Sequence, residues 1–279
     1  MSLPSNFQFS QSSLQDFVDC QRRFQLKYIE QLAWPALEAE PALENENYLR
    51  KGATFHHLIQ QFFHGVSVEN LTTLAKQNPN LEHWWKNFTQ VIGNLVNLKA
   101  NNHPEFSLSA PIRDYRLVAK YDLLSFDEEK ITIYDWKTSR SHQQQKREWV
   151  ATKLQTRVYP FLLVKVGAHI NSGKYIEPSQ VEMLYWYANI PASPLKFRYS
   201  DQKFNEDQVY IDSLIEEIKT LDESKAAMTD NQKRCCFCIY RSLCDRGDKA
   251  GPLGELIGDN EQSPFGFDFN FEQIAEIEF

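Results

Sequence analysis

Apolar side chains recur every three or four residues in several stretches of the chain, which is the period of an amphipathic helix. They predict helices over residues 12–30, 48–64, 143–166 and 203–224, and a helical insertion over residues 67–100. Runs rich in β-branched and aromatic residues lie between these stretches and favour strands. The strands fall at residues 105–112, 115–125, 130–138, 180–189 and 195–199. This order of helices and strands favours an α/β fold.

Length and composition are those of a globular protein with one substantial core. Of the 279 residues, 42% are hydrophobic and 13% aromatic, and we expect a single domain over residues 1–247. No apolar run approaches the roughly 20 residues that a membrane-spanning helix needs, so we expect no membrane contact. The N-terminus lacks the features of a secretory signal, and the cysteines suit a reducing compartment, which together favour a cytoplasmic location.

The formal net charge of −7 is concentrated at the C-terminus. Residues 248–279 contain eight acidic residues and one basic residue, so residues 1–247 are neutral overall. This last segment predicts a weakly folded acidic, aromatic tail. Basic residues cluster at Arg22–Arg23, Lys137–Arg140 and Lys146–Arg147. Such clusters suit either contacts with phosphates or an ordinary solvated surface.

An acid and a lysine stand two residues apart at the end of the predicted strand 130–138. Asp135 and Lys137 share one face because side chains alternate along a strand. A charged pair of this kind is costly to bury unless it binds something. It can hold a metal ion and activate a water molecule, or it can form a structural salt bridge at a strand end.

Three other features have both a functional and a structural interpretation. His56 lies beside the apolar stripe of a predicted helix, where it can reach into a cleft or simply pack. Asp122 lies within an apolar strand, either as a site residue or as the aspartate of a hairpin turn. Gln155 and Tyr159 are four apart and share one helix face, as part of a site or as an exposed pair.

In this order the motifs resemble the PD-(D/E)XK nuclease superfamily, and specifically its RecB-like branch, which includes AddB-type nuclease domains and CRISPR-associated RecB-like nucleases. The family pattern is a Gly-x-x-x-His helix, a strand ending in Asp, an Asp/Glu-x-Lys strand and a Gln-x-x-x-Tyr helix. The matching residues are His56, Asp122, Asp135 with Lys137, and Gln155 with Tyr159. Ala119 stands where many relatives have glycine, which removes no ligand. The resemblance implies a restriction-endonuclease-like core with a mixed central sheet flanked by helices.

The resemblance also implies a site and an activity. Mg²⁺ or Mn²⁺ would be held by His56, Asp122, Asp135 and the backbone carbonyl of Trp136. The catalytic residues would be Asp122, Asp135, Lys137, Gln155 and Tyr159, with Lys137 positioning or deprotonating the attacking water. The implied function is DNA hydrolysis, first of all by an exonuclease acting on single-strand ends in repair, recombination or defence, with a helicase or recombination protein as partner. An inactive DNA-binding or scaffold module, and an enzyme acting on RNA or another phosphodiester, are the alternatives.

Five cysteines are present, and an odd number argues against a simple disulfide framework. Four thiolates suit either tetrahedral zinc or an iron–sulfur cluster. A remote N-terminal cysteine followed by Cys-x2-Cys-x5-Cys resembles the 4Fe-4S site of AddB-type nucleases. The resemblance implies Cys20, Cys235, Cys238 and Cys244 as the ligands, Cys236 as a spare, and a C-terminal cysteine module over residues 231–247.

Overall fold

The computed structural model describes residues 3–4, 6–32, 40–128, 130–138, 146–221 and 226–247. The side chains of residues 40–46, 49, 236 and 237 lie outside this description. The predicted acidic tail over residues 248–279 and the basic residue Arg140 therefore lie outside the described residues, as does the side chain of Cys236.

The described chain contains both helices and strands. In chain order the elements are β1 Gln8–Ser10, α1 Gln11–Asp19, α2 Gln21–Phe24, α3 Glu40–Phe63, α4 Val68–Ala75, α5 Pro79–Leu95, β2 Asn101–Ile112, β3 Tyr115–Phe126, β4 Ile131–Lys137, α6 Arg147–Thr152, α7 Leu154–Val166, β5 Val181–Tyr187, β6 Leu195–Arg198 and α8 Asp201–Lys219. A π-helical turn over Gln25–Ile29 extends α2, and a 3₁₀ turn over Gln232–Phe237 begins the cysteine segment.

The six strands form one mixed sheet, as the resemblance implied. Its strand order is β1-β3-β4-β5-β6, and β2 also pairs with β3. The pairs β1–β3 and β4–β5 are parallel, whereas β2–β3, β3–β4 and β5–β6 are antiparallel. A two-residue turn at Arg113 and Asp114 joins β2 to β3, and the positive φ of Arg113 (51°) suits so tight a hairpin.

The sheet buries an apolar core on each face. Residues of α1, α7 and α8 form the first core with one face, and residues of α3, α4 and α5 form the second core with the other. Alternation along β4 shows the division: Ile131 and Ile133 belong to the first core, and Tyr134 and Trp136 to the second. Helices therefore reach the end of β4 from both sides.

The predicted helix over residues 12–30 is wrong as one continuous helix. The chain turns to an extended conformation at Cys20 (φ −166°, ψ 106°), which ends α1 before α2 begins. The N-cap of α1 is Ser10, whose side chain accepts from the Ser13 N–H.

Two further predicted helices are also divided. The segment 143–166 breaks at Lys153, whose ψ of 142° separates α6 from α7. The helical insertion over residues 67–100 is α4 followed by α5, because Asn78 caps a new helix with Pro79 in its first turn. The short strand β1 was not predicted. Within the described residues, no helix combines the length and apolar character required to cross a membrane.

Candidate metal centre and cysteine pocket

Three acidic residues stand in one row across β2, β3 and β4. The β2–β3 pairs Pro104–Leu123 and Phe106–Tyr121 place Glu105 opposite Asp122. The β3–β4 ladder ends at the pair Leu123–Tyr134, so the next positions on the two strands are Asp122 and Asp135. The candidate site thus lies where the pairing between β3 and β4 ends.

His56 approaches this row from α3. Its Nδ1 lies 3.3 Å from Oδ1 of Asp122, and both side chains are largely buried, with exposed fractions of 14% and 17%. The other carboxylate oxygen, Oδ2, accepts the backbone N–H of Trp136 at 2.8 Å. The adjacent His57 is exposed and its Nδ1 lies 3.1 Å from Oε1 of Gln60. His56 therefore faces Asp122, whereas His57 points away from it toward Gln60.

Glu105 joins the pair, and the sequence analysis missed it. Among the described residues, His56, Glu105 and Asp122 are the group whose ligand atoms all lie within 4.8 Å of one another. Glu105 also forms an ion pair with Lys120, Oε2 to Nζ 2.9 Å, and has a positive φ of 51°. One nitrogen and two carboxylates are a donor set that suits Mn²⁺ or Mg²⁺.

Asp135, Lys137 and Gln155 form a second group beside the first. Lys137 Nζ lies 2.8 Å from Asp135 Oδ1 and donates to Oε1 of Gln155 at 3.0 Å. Gln155 Nε2 donates to Asp135 Oδ2 at 2.5 Å. Gln155 comes from the first turn of α7, so the helix on one face and the strand end in the sheet jointly hold the lysine.

The other two predicted site residues have different surroundings. Tyr159 lies one turn further along α7, where it is buried in the first core with its ring 4.9 Å from that of Tyr121. Its carbonyl accepts the hydroxyl of Tyr121 at 2.9 Å. The main chain of Trp136 lies beside Asp122 through the N–H described above, and its ring packs in the second core.

The charges of the site stabilise one another despite burial. Burial lowers the pKa of His56, but Asp122, with smaller effects from Glu105 and Asp135, raises it above the ordinary value. Burial raises the pKa of Asp122, but His56 and the Trp136 N–H lower it below the ordinary value. Burial and the charge of Asp122 raise the pKa of Glu105. Without metal, the pairing of His56 with Asp122 therefore favours the charged form of each residue.

The four predicted cysteine ligands line one pocket. Cys20 comes from the break between α1 and α2, and Cys235, Cys238 and Cys244 come from the C-terminal segment. No disulfide involves any of these four. The pocket is also lined by Arg23, Met228, Thr229, Tyr240, Arg241 and Arg246. Burial raises the pKa of the Cys238 thiol, and Arg23 opposes the rise.

Several contacts join the N-terminal helices to the cysteine segment. Arg234 Nη1 lies 2.6 Å from Asp19 Oδ1, and Arg22 donates its N–H to the Ala227 carbonyl at 3.1 Å. Arg23 binds Asp16 at 2.8 Å and Asp19 at 3.1 Å. The guanidinium of Arg23, one of the clustered basic residues, is therefore engaged by two carboxylates of α1.

The chain belongs to the PD-(D/E)XK nuclease superfamily, whose family model matches residues 8–245. This membership supports nuclease activity, and the site described above occupies the matching motifs. No curated protein matches the chain in sequence.

Two solved structures are similar over most of their length. SSO0001 is 14% identical, with 85% of each chain covered and a TM-score of 0.37. A candidate exonuclease from Eubacterium rectale is 9% identical, with 75% of this chain and 79% of that chain covered and a TM-score of 0.46. Both similarities are too low to bear on the activity of this chain.

We expect Mn²⁺ binding to strengthen as pH rises through the raised pKa of His56, because the ion competes with the proton on the imidazole. In the metal-free protein, the stability that His56 contributes falls as pH rises, whereas Mn²⁺ binding strengthens. The His56 contribution to stability is complete below the ordinary histidine pKa and is lost as pH rises through the raised value, whereas that of Asp122 is lost as pH falls through its lowered pKa. Calorimetric titration in two buffers of different ionisation enthalpy measures the proton release.

The neighbouring histidine provides the control for this prediction. His56→Ala should remove the proton release and weaken Mn²⁺ binding, whereas His57→Ala should leave both unchanged. Equal proton release from wild type and His56→Ala would contradict the expected binding of Mn²⁺ to the His56 imidazole.

Proposed function

We propose that the protein is a metal-dependent deoxyribonuclease of the RecB-like branch, and that it degrades single-strand DNA from its ends. The observation that supports this most directly is the meeting of His56, Glu105 and Asp122 beside the Asp135–Lys137 pair, in a chain of this superfamily. A structural salt bridge alone requires neither the histidine nor the additional carboxylate.

The residues fit a divalent ion. His56 Nδ1, Asp122 Oδ1 and the Glu105 carboxylate would hold Mg²⁺ or Mn²⁺, with Asp135 and the Trp136 carbonyl as the further ligands that the family pattern implies. The hydrogen bond from the Trp136 N–H to Oδ2 leaves Oδ1 of Asp122 directed at the histidine. When bound, the ion would lower the pKa of a water molecule and offset charge on the phosphate.

Lys137 has the position of a residue that orients the attacking water. Asp135 and Gln155 hold its ammonium group from two sides, which reduces its freedom before a substrate arrives. From there the ammonium can donate to a water or to a phosphate oxygen as negative charge develops. Tyr159, the fifth predicted catalytic residue, would contribute indirectly. It lies one turn after Gln155 in α7, where its packing against Tyr121 would help to hold the helix in position.

We propose that the cysteine pocket holds a 4Fe-4S cluster, with a structural zinc ion as the alternative. Cys20, Cys235, Cys238 and Cys244 line this one pocket together with Arg23, Arg241 and Arg246. Four thiolates with either metal form an anionic site, and the arginines would offset its negative charge.

We expect Asp135→Ala and Lys137→Ala each to reduce DNA cleavage by roughly 10²–10³-fold or more, since each removes a group that acts on the developing charge. The measurement is Mn²⁺-supported degradation of end-labelled single-strand DNA, with circular single-strand DNA, duplex DNA and RNA of the same sequence in parallel. Lys196→Ala, at an exposed position in β6, is the control and should retain wild-type rates.

The same panel of nucleic-acid substrates also distinguishes the alternative functions. Unchanged turnover by Lys137→Ala would contradict the assigned role of the lysine. Cleavage of the circle would contradict action from ends, and preferential cleavage of RNA would contradict the assigned substrate. A wild-type protein that binds DNA but cleaves none of the four would indicate an inactive nuclease fold.

Cys20→Ala and Cys244→Ala should each lower iron content and thermal stability together. The cluster would join residues more than 200 positions apart, and a disulfide closing so long a loop stabilises by about 5 kcal/mol. Cys236→Ala, outside the Cys-x2-Cys-x5-Cys spacing, should change neither quantity. Full iron content in Cys20→Ala, or its loss in Cys236→Ala, would show that the ligand set is different.

A further inference from the structure

The first turn of α7 is capped from another part of the protein. Lys153 precedes this helix in an extended conformation and provides no side-chain hydrogen bond to its first N–H groups. Such groups have no partner within their own helix and need an acceptor when they are buried. The N–H of Leu154, a buried residue, donates instead to Oε1 of Gln15 in α1 at 3.1 Å.

Gln15 is itself held in place. Its Nε2 donates to Oδ1 of Asp19 at 2.9 Å, one turn further along α1. Asp19 is bound in turn by Arg23, at 3.1 Å, and by Arg234 of the cysteine segment, at 2.6 Å. Both ends of the Gln15 amide group are therefore engaged, and its orientation is determined by an ion-paired carboxylate that borders the cysteine pocket.

The capped residue is next to a residue of the candidate site. Gln155 follows Leu154 directly, and its amide contacts both Asp135 and Lys137. A helix whose first turn shifts would carry this amide with it. The series of contacts from Asp19 through Gln15 to α7 thus ends at Lys137, the lysine that the proposed function assigns to the attacking water.

We propose that Gln15 is a positioning residue for catalysis, which caps α7 and thereby sets the place of Gln155 and Lys137. The inference rests on the proposed nuclease function for its effect on rate. It gives the junction of α1 with the cysteine segment a role in catalysis as well as in stability. It also predicts that metal binding depends little on Gln15, because His56, Glu105 and Asp122 come from α3, β2 and β3, and among the proposed ligands it is Asp135 that Gln155 contacts.

The test combines a rate with a measurement that needs no activity. Gln15→Ala should lower the single-turnover rate constant by about 10- to 100-fold, the scale of a small misplacement of catalytic groups, with KM and Mn²⁺ affinity little changed. Amide hydrogen exchange at Leu154 and Gln155, followed by NMR, should become faster in the same variant.

Gln21 provides a matched control. It also donates one hydrogen bond to a carboxylate, Glu217 at 2.9 Å, and accepts one from a main-chain N–H, that of Ala227 at 3.3 Å. Neither bond leads to α7, so Gln21→Ala should leave the rate and the exchange of α7 unchanged.

Two outcomes would overturn the inference. They are a wild-type rate with wild-type exchange in Gln15→Ala, and an equal loss of rate in Gln21→Ala. A wild-type protein that cleaves no DNA would contradict the proposed function and the catalytic role of Gln15 with it, and the exchange data would then show separately whether Gln15 caps α7.

Discussion

Repulsion between the neighbouring carboxylates of Glu105 and Asp122 is the constraint on which the site depends. Glu105, Asp122 and Asp135 occupy corresponding positions on three neighbouring strands, and such a row is stable only with compensating positive charge. Each carboxylate has a basic partner: Lys120, His56 and Lys137, respectively. A divalent ion would replace the proton of the histidine between two of these carboxylates, so the metal-free protein already has the charge arrangement that a metal site requires.

Packing brings these groups together from both faces of the sheet. The second core holds α3, and with it His56, against one face, while the first core holds α7, and with it Gln155, against the other. The ladder between β3 and β4 stops before Asp122 and Asp135, which opens the sheet for the two helices. The site is therefore a consequence of where the strands separate, and its position follows from strand pairing as much as from the motif residues.

Much of this could be predicted from the sequence. Periodicity identified most elements, and the motif spacing selected His56 over His57. Glu105 was missed although the signal was present: the predicted strands 105–112 and 115–125, joined by a two-residue turn, place residue 105 opposite residue 122. The breaks in the helices at Cys20 and Lys153 left no such signal. Beside each break lies a hydrogen bond to a distant segment, from the Arg22 N–H to the Ala227 carbonyl and from the Leu154 N–H to the Gln15 side chain. Hydrophobic periodicity does not carry information of that kind.

The most direct test of the account is the position of Mn²⁺ in the protein. Anomalous scattering from Mn²⁺-soaked crystals locates the ion independently of any assay. The account predicts an ion within coordination distance of His56 Nδ1, Asp122 Oδ1 and the Glu105 carboxylate, with the Lys137 ammonium beside it. An ion bound away from His56 and Asp122, or a site that stays empty at saturating Mn²⁺, would contradict it.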